Sequence, residues 1–383
     1  MILVYIAVGS TLGALALLFC WAMLELRSLP RVEEREFQSE QALPRLSVIV
    51  PARDEAMTIG PAVESLLMTT YPDLEVLLVN DRSTDDTGPI MERFAAADHR
   101  VRALQVEALP DGWLGKLNAL NVGTAQATGD VLLFADADVY YGPECLSQAV
   151  SWLEEDALDH LALFPRVRSR SLLAEAVIGY FGLIFLLYFR PSRVNRGVEG
   201  AFVGIGAFNM VRREAFERTE GWEWLRLEVA DDVGLGLMMA RNGGRSRLGL
   251  AIRSCTVEWY DSVRSMVGGL EKNLYLLSTR AQPLRAVVYV VGLLLPTASL
   301  VLSLALVWAP GLTLAGIASL ASCVTARAVG APLSAGAAAP FCGPFMAWAM
   351  ARSAWRGWRT GTVSWRDTSY SMEELLEGQR VQM

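Results

Sequence analysis

The chain opens with an almost unbroken apolar run over 2–24. As a helix rising 1.5 Å per residue, such a run can cross roughly 30 Å of hydrocarbon. It has no basic residue before it and is too long for a cleaved signal, so positions 1–26 are predicted to be a transmembrane anchor. Arg27, Arg31 and Arg35 follow it. Because positive charge stays on the cytoplasmic side, the N-terminus should lie outside and the next domain in the cytoplasm.

From position 45 the pattern changes to short apolar runs alternating with amphipathic ones. Strands are predicted over 46–50, 74–79, 101–106 and 131–135, with helices over 58–68, 85–97 and 116–127. Strands that alternate with helices imply βαβ units and a mostly parallel sheet, and continuous apolar strands fit a sheet covered on both faces. A further apolar stretch, 176–189, is only about 14 residues long. That is short for a span, so it reads as a core helix or, better, as a helix in the membrane interface. Beyond the soluble domain, taken as 45–280, a second span is predicted over 285–308. Shorter apolar stretches follow at 312–324 and 337–350, so 285–351 should hold two or three spans, with 352–383 as a tail. Arg327 and the cluster Arg352, Arg356 and Arg359 both call for the cytoplasmic side, and a simple three-span count cannot satisfy both.

Composition narrows the chemistry. Hydrophobic residues make up 52% of the 383 positions and charged ones 20%, so membrane and soluble parts coexist. A net charge of -7 argues against a nucleic-acid partner. Two histidines, His99 and His160, leave almost no material for a His-based metal centre or a catalytic triad. Five cysteines without a C-x-x-C pair read as buried apolar side chains. Lys116 and Lys272 are lone lysines among 34 basic residues, which suggests positions where a compact ammonium is needed.

Ligands of such sheets bind beyond the carboxyl ends of the strands, and three of these ends are polar. They carry Pro51-Ala-Arg-Asp-Glu55, Asn80-Asp-Arg-Ser-Thr-Asp85 and Asp136-Ala-Asp138. The last puts two carboxylates straight after a buried strand, a donor set suited to Mg2+ or Mn2+ shared with substrate phosphates.

With Gly115-Lys-Leu-Asn-Ala-Leu-Asn-Val-Gly123 and Asp231-Asp-Val-Gly-Leu-Gly236, these motifs resemble, in order, those of the family 2 glycosyltransferases. The resemblance implies an α/β GT-A fold over 45–280, with a mixed, mostly parallel sheet. It implies that Pro51, Arg53, Glu55, Asp81, Lys116 and Asp136 bind a nucleotide-sugar donor. Asp138 and Asp136 would serve the metal, and Asp232 would be the general base, with neighbouring Asp231 leaving that choice open. Asn80 stands where the family has Asp and could retune the nucleotide contact. The Q-x-x-R-W motif of processive synthases is missing, which favours transfer of a single sugar. In its place stands Gly269-Leu-Glu-Lys-Asn273, where Lys272 could approach the diphosphate or acceptor.

The layout resembles the lipid-directed members, among them ceramide glucosyltransferases and bacterial hopanoid- or carotenoid-associated enzymes. It implies a bacterial inner-membrane protein with a cytoplasmic catalytic domain, a UDP-linked donor and a lipid acceptor. Other readings are transfer to a polyprenyl phosphate or a growing polysaccharide, and a non-catalytic scaffold. Three features stay open. The Gly-rich segment 197–209 shapes an acceptor pocket or is a tight core turn. Arg190, Arg193 and Arg196 bind lipid headgroups or an acceptor phosphate, or are solvated. Val363-Ser-Trp-Arg-Asp-Thr-Ser-Tyr370 is a W-R-x-x-x-Y signature or an interfacial belt.

Overall fold

The computed structural model describes residues 2–35, 43–169, 171–260, 262–365 and 368–382, apart from the side chains of 2–8, 11, 12, 15, 272, 273, 364 and 365. After α1 (Ile2–Arg27) the chain builds β1 (Leu46–Ala52), α2 (Ile59–Leu67), β2 (Leu74–Asp81), α3 (Thr87–Ala97), β3 (Val101–Val106), α4 (Gly115–Gln126) and β4 (Val131–Phe134). These match the elements expected from the hydrophobic pattern to within two residues at each end. Then come β5 (Val139–Tyr141), α5 (Cys145–Glu155), β6 (His160–Ser169), α6 (Leu172–Phe189), α7 (Pro191–Asn195) and β7 (Asn209–Arg212). The domain closes with α8 (Arg213–Glu217), α9 (Gly221–Leu225), α10 (Asp231–Arg241) and β8 (Ser246–Tyr260).

The sheet runs β3-β2-β1-β4-β7-β6-β8-β5. The first four strands are mutually parallel, β7 is antiparallel to both β4 and β6, and β6 is parallel to β8. Every residue of β1 and β2 is buried, which explains their continuous apolar composition: helices cover both faces. The carboxyl ends of β1, β2, β4 and β6 therefore share one edge.

The membrane-directed part follows as α11 (Val263–Thr279), α12 (Pro283–Leu306), α13 (Trp308–Ala328), α14 (Leu333–Ala338) and α15 (Gly343–Thr360). Among the described residues, three helices are long and apolar enough to cross a membrane: α6, α12 and α13. Leu284, Val288, Leu295, Leu302 and Leu320 point outward from α12 and α13, a surface suited to lipid rather than water.

The arginine conflict seen in the sequence disappears in three dimensions. Helices α12 and α13 form a hairpin, and the chain just past α13 returns to the catalytic domain. There Arg31 donates to the Ala328 carbonyl, and Gly330 sits beside Arg166 and Ile252. Helix α14 and a short 3-10 turn (Ala339–Phe341) then reach only the middle of α12. Thr297 of α12 donates to the Pro340 carbonyl at 3.2 Å, and Gly343 packs against the Leu293 carbonyl. Helix α15 runs back out, and its Arg352 and Arg356 pair with Glu271 of α11. Arg327 and Arg352–Arg359 thus end on the side of the catalytic domain.

Helix α6 is 18 residues long, four more than its apolar composition suggests, because Ser171 caps it ahead of Glu175 by accepting the Ala174 amide. Its start packs against α11, α14 and α15 through Ala174, Ala176 and Val177, and its middle meets the catalytic domain. Phe181 meets Trp259 and Phe185 meets Phe164, each at 5.9 Å between ring centroids. At its far end, Ser192 donates its amide and hydroxyl to Glu25 of α1, both at 2.8 Å.

The C-terminal tail folds back over the domain as a hairpin, β9 (Thr362–Trp365) and β10 (Thr368–Ser371), and α16 (Met372–Gly378). Its end is clasped by Glu228, which is fully buried and accepts the amides of Arg380 (2.6 Å), Val381 (2.8 Å) and Ala230 (3.0 Å). A glutamine there would turn one acceptor oxygen into a donor and leave buried amides unsatisfied, a loss of roughly 1–3 kcal/mol. Glu228→Gln is therefore expected to free the last residues for carboxypeptidase, read by intact mass, while the sheet stays folded by circular dichroism. Equal protection of both proteins contradicts the clasp.

Candidate active site

The shared strand edge brings most of the expected residues together. Lys116, in the first turn of α4, places its ammonium 2.7 Å from Asp136 Oδ1 and 2.8 Å from Asp231 Oδ2. It thus joins the end of β4 to the start of α10. Burial works against its charge, but the two carboxylates outweigh burial and hold its pKa well above normal.

The neighbouring Asp232 plays a different part. Its Oδ2 accepts the Gly206 amide at 2.9 Å and its Oδ1 the Val233 amide at 2.8 Å. Burial, then the charge of Asp231, push its pKa from 3.8 to about 7. Asp138 is raised likewise to about 7, by burial first and then by Asp136 and Glu55. Asp231 is also raised, by burial, although Lys116 opposes the shift.

Glycine makes this crowding possible. The segment 197–209 holds Gly206, where an added Cβ would lie 2.8 Å from Asp136 Oδ2 and 3.7 Å from Asp232 Oδ2. At Gly204 a Cβ would overlap the Asp232 carbonyl. The Gly-rich segment is thus the wall between the two acidic motifs.

A second cluster surrounds Asp81, at the end of β2. Arg82 grips it through two bonds, Nε–Oδ1 at 2.8 Å and Nη2–Oδ2 at 3.2 Å, and Arg53 Nη1 stands 4.0 Å from Oδ2. Asp54 and Arg82, the turning residues after β1 and β2, both take positive φ (54° and 57°). Such backbone is uncommon outside glycine and is held by its surroundings: Asp54 accepts the Thr84 amide at 2.7 Å and donates its own to Ser83. Glu55 accepts the Thr58 hydroxyl at 2.9 Å. Pro51 lies within β1, paired with Val79. Asn80 is buried and points sideways, donating to Gln105 at 2.6 Å and accepting the Ser83 amide at 3.1 Å. Its position explains the departure from Asp: it closes the loop and links β2 to β3.

The side chain of Lys272 lies outside the described residues, as do those of Trp365 and Arg366 in the tail motif. Tyr370 of that motif is buried against the donor-side cluster. The Gly115 amide is directed at its hydroxyl, and Arg82 and Asp81 are close, while burial raises its pKa.

Sequence reasoning did not find the support behind Asp232. Asn209 donates to the Asp232 carbonyl at 3.0 Å and accepts from His160 Nε2 at 2.6 Å, and His160 Nδ1 meets Ser246 at 3.1 Å. Burial holds His160 down at about 4, so the ring is neutral. Only its rarity, one of two histidines, could have drawn attention to it.

No group of three or more His, Cys, Asp or Glu forms a closed metal shell among the described residues. The chemistry of the site still fits a divalent cation. Asp136 and Asp231 share one ammonium, and Asp138 and Asp232 stand close by in a buried space, where burial first and neighbouring carboxylates second raise their pKa values. Magnesium-type sites commonly use one or two carboxylates and complete their shell with substrate phosphates and water.

Residues 47–219 match the sequence model of Glycosyl transferase family 2. A probable glycosyltransferase, YdaM, of Bacillus subtilis is 30% identical over 148 residues, 34% of each chain. The beta-monoglucosyldiacylglycerol synthase of Nostoc sp. is 27% identical over 214 residues, 54% of this chain and 43% of that one. The Synechocystis sp. enzyme of the same name is 28% identical over 204 residues, 51% and 40%. The matched stretch thus spans less than half the length of these relatives. Among solved structures, the mannosyltransferase PcManGT from Pyrobaculum calidifontis, in complex with GDP-Man and Mn2+, aligns with a TM-score of 0.54 at 19% identity, over 93% of this chain and 98% of that one. The shared fold is GT-A.

The pKa shifts carry a testable sign. Between 3.8 and about 7 the folded chain holds protons on Asp138 and Asp232 that the unfolded chain releases. The stability from these groups is therefore full at low pH and is lost as pH rises through about 7. A cation favours the ionised form, so saturating Mn2+ should raise the melting temperature by about 5 °C at pH 8 and much less at pH 5. Asp136→Ala/Asp138→Ala should abolish that increment, measured by differential scanning fluorimetry. An equal Mn2+ shift in the double variant places the ion elsewhere.

Proposed function

We propose that this chain, whose residues 47–219 form a glycosyl transferase family 2 domain, transfers a single sugar from a nucleotide-sugar, UDP-linked, to the hydroxyl of a lipid at the cytoplasmic face of the bacterial inner membrane. The observation that carries it is the division of labour between two adjacent carboxylates. Lys116 takes Asp231, whereas Asp232 accepts only backbone amides among the described residues and titrates at about 7. That value suits a general base at physiological pH and favours Asp232 over Asp231 for the role.

In this reading Asp81, held by Arg82, and Glu55 contact the base and ribose of the donor, and Lys116 its diphosphate. Asp136 and Asp138 are the residues that would hold a divalent cation, which would supply neutralising charge for the leaving diphosphate. In the reaction, the acceptor oxygen attacks the anomeric carbon as its proton passes to Asp232. The bond from that carbon to the diphosphate oxygen breaks, and the nucleoside diphosphate leaves. One displacement from one base predicts inversion. Asn209 and neutral His160 keep the backbone of Asp232 in place, and Gly206 leaves room for the acceptor oxygen.

Support for a lipid acceptor comes from the position of α6. Its aromatic middle lies on the catalytic domain while its start packs against α14 and α15, which suits a helix at the junction of the domain and the membrane surface. That arrangement holds an acceptor near the donor and lowers the entropic barrier. Two relatives bear names of glycolipid synthases. This reading keeps the domain division 1–26, 45–280, 285–351 and 352–383, although α15 (Gly343–Thr360) runs across the last boundary, and takes α14 and α15 as re-entering rather than adding a span.

Purified protein in detergent should release UDP from one member of a UDP-sugar panel when Mn2+ and membrane lipid extract are both present. Asp232→Asn should lower turnover by about 10²- to 10⁴-fold with little change in KM for the donor. Unchanged turnover in this variant removes Asp232 from the chemistry. A change confined to KM makes it a binding residue instead.

A further inference from the structure

Away from the reaction site, a cleft of about 640 Å3 opens where the catalytic domain meets the apolar helices. Four separate stretches of chain line it. Arg31 follows α1, Arg166 and Arg168 lie on β6, Arg253 sits at the bulge of β8, and Arg327 ends α13. The acid among the lining residues is Glu175, at the start of α6. Among the described residues, the guanidinium groups of Arg166, Arg168, Arg253 and Arg327 pair with no carboxylate, and the Nε of Arg166 is buried with no hydrogen-bond partner. Five like charges gathered from distant positions repel one another, and a desolvated guanidinium without an acceptor is unfavourable. Both penalties disappear if a phosphate enters, because guanidinium forks match phosphate oxygens.

The place of the cleft selects the kind of phosphate. It lies beside the Arg327 end of α13, the capped end of α6 and the exit of α1. These meet at the level where lipid headgroups begin if the apolar helices sit in a bilayer. We propose that this cleft is a binding site for the phosphodiester headgroup of an anionic membrane lipid, distinct from the sugar acceptor. The site seats the catalytic domain against the membrane at a fixed height. It differs from the trio Arg190, Arg193 and Arg196, which is exposed on one short stretch.

Lipid retention by the full chain tests the site independently of sugar transfer. Protein in a neutral detergent is titrated with phosphatidylglycerol or with phosphatidylcholine of the same acyl chains, and bound lipid is counted by native mass spectrometry. One phosphatidylglycerol per chain should be retained, with at least 10-fold preference over phosphatidylcholine. Each juxtamembrane arginine contributes about five-fold, so Arg166→Gln/Arg327→Gln and Arg168→Gln/Arg253→Gln should each weaken retention about 25-fold. The surface control Arg218→Gln/Arg226→Gln should stay within two-fold of the parent. Melting temperature separates misfolding from loss of binding, and if one double variant unfolds, the other decides. Equal retention of both lipids overturns the proposal. So does a control that weakens binding as much as the cleft variants, which makes the attraction diffuse. Displacement by low millimolar inorganic phosphate makes the cleft a soluble-anion site and also overturns it.

Discussion

The ammonium of Lys116, held between Asp136 and Asp231, is the contact on which the site depends. It ties the end of β4 to the start of α10, two segments almost a hundred residues apart in sequence. Without that charge, Asp136 and Asp231 would lose their shared partner in a buried space. With it, both are held as partners of a cation. Asp232 is left next to a filled ion pair with its pKa near neutrality. The packing around it follows from the same need for closeness: Gly204 and Gly206 lack a side chain because the acidic motifs leave no space for one.

Much of the catalytic half was legible because its information is local. Each strand from β1 to β4 is a short apolar run, and the polar residues that follow it belong to the site wherever the sheet is parallel. Asp81, Asp136 and Asp138 could be found from strand ends and Lys116 from its rarity at a helix start, whereas Asp231 and Asp232 came from the resemblance of their motif. Asn80 was found too, but its meaning was not. Its partner Gln105 lies on another strand, and only the fold shows that it closes a loop.

The rest depends on where the chain returns. The helix break after Arg327 and the re-entry of α14 are not written in hydropathy, which reports length and not direction. That is why a simple span count could not put Arg327 and the cluster Arg352, Arg356 and Arg359 on one side. Tyr370 lies against Arg82 and Asp81 only because the tail folds back across the domain, and Glu228 clasps that tail from a position three residues before the second acidic motif. The cleft of five arginines is assembled from four segments, so no window of sequence contains it. His160 and Asn209 are plain strand residues until β6 and β7 pair.

The claim that one base drives one displacement is tested most directly by the stereochemistry of the product. The glycolipid formed from an α-linked UDP-sugar should be isolated and its anomeric proton coupling measured by NMR. The account predicts a β-linkage and one sugar per lipid. An α-linked product would require two displacements or a retaining pathway, and would contradict the role given to Asp232.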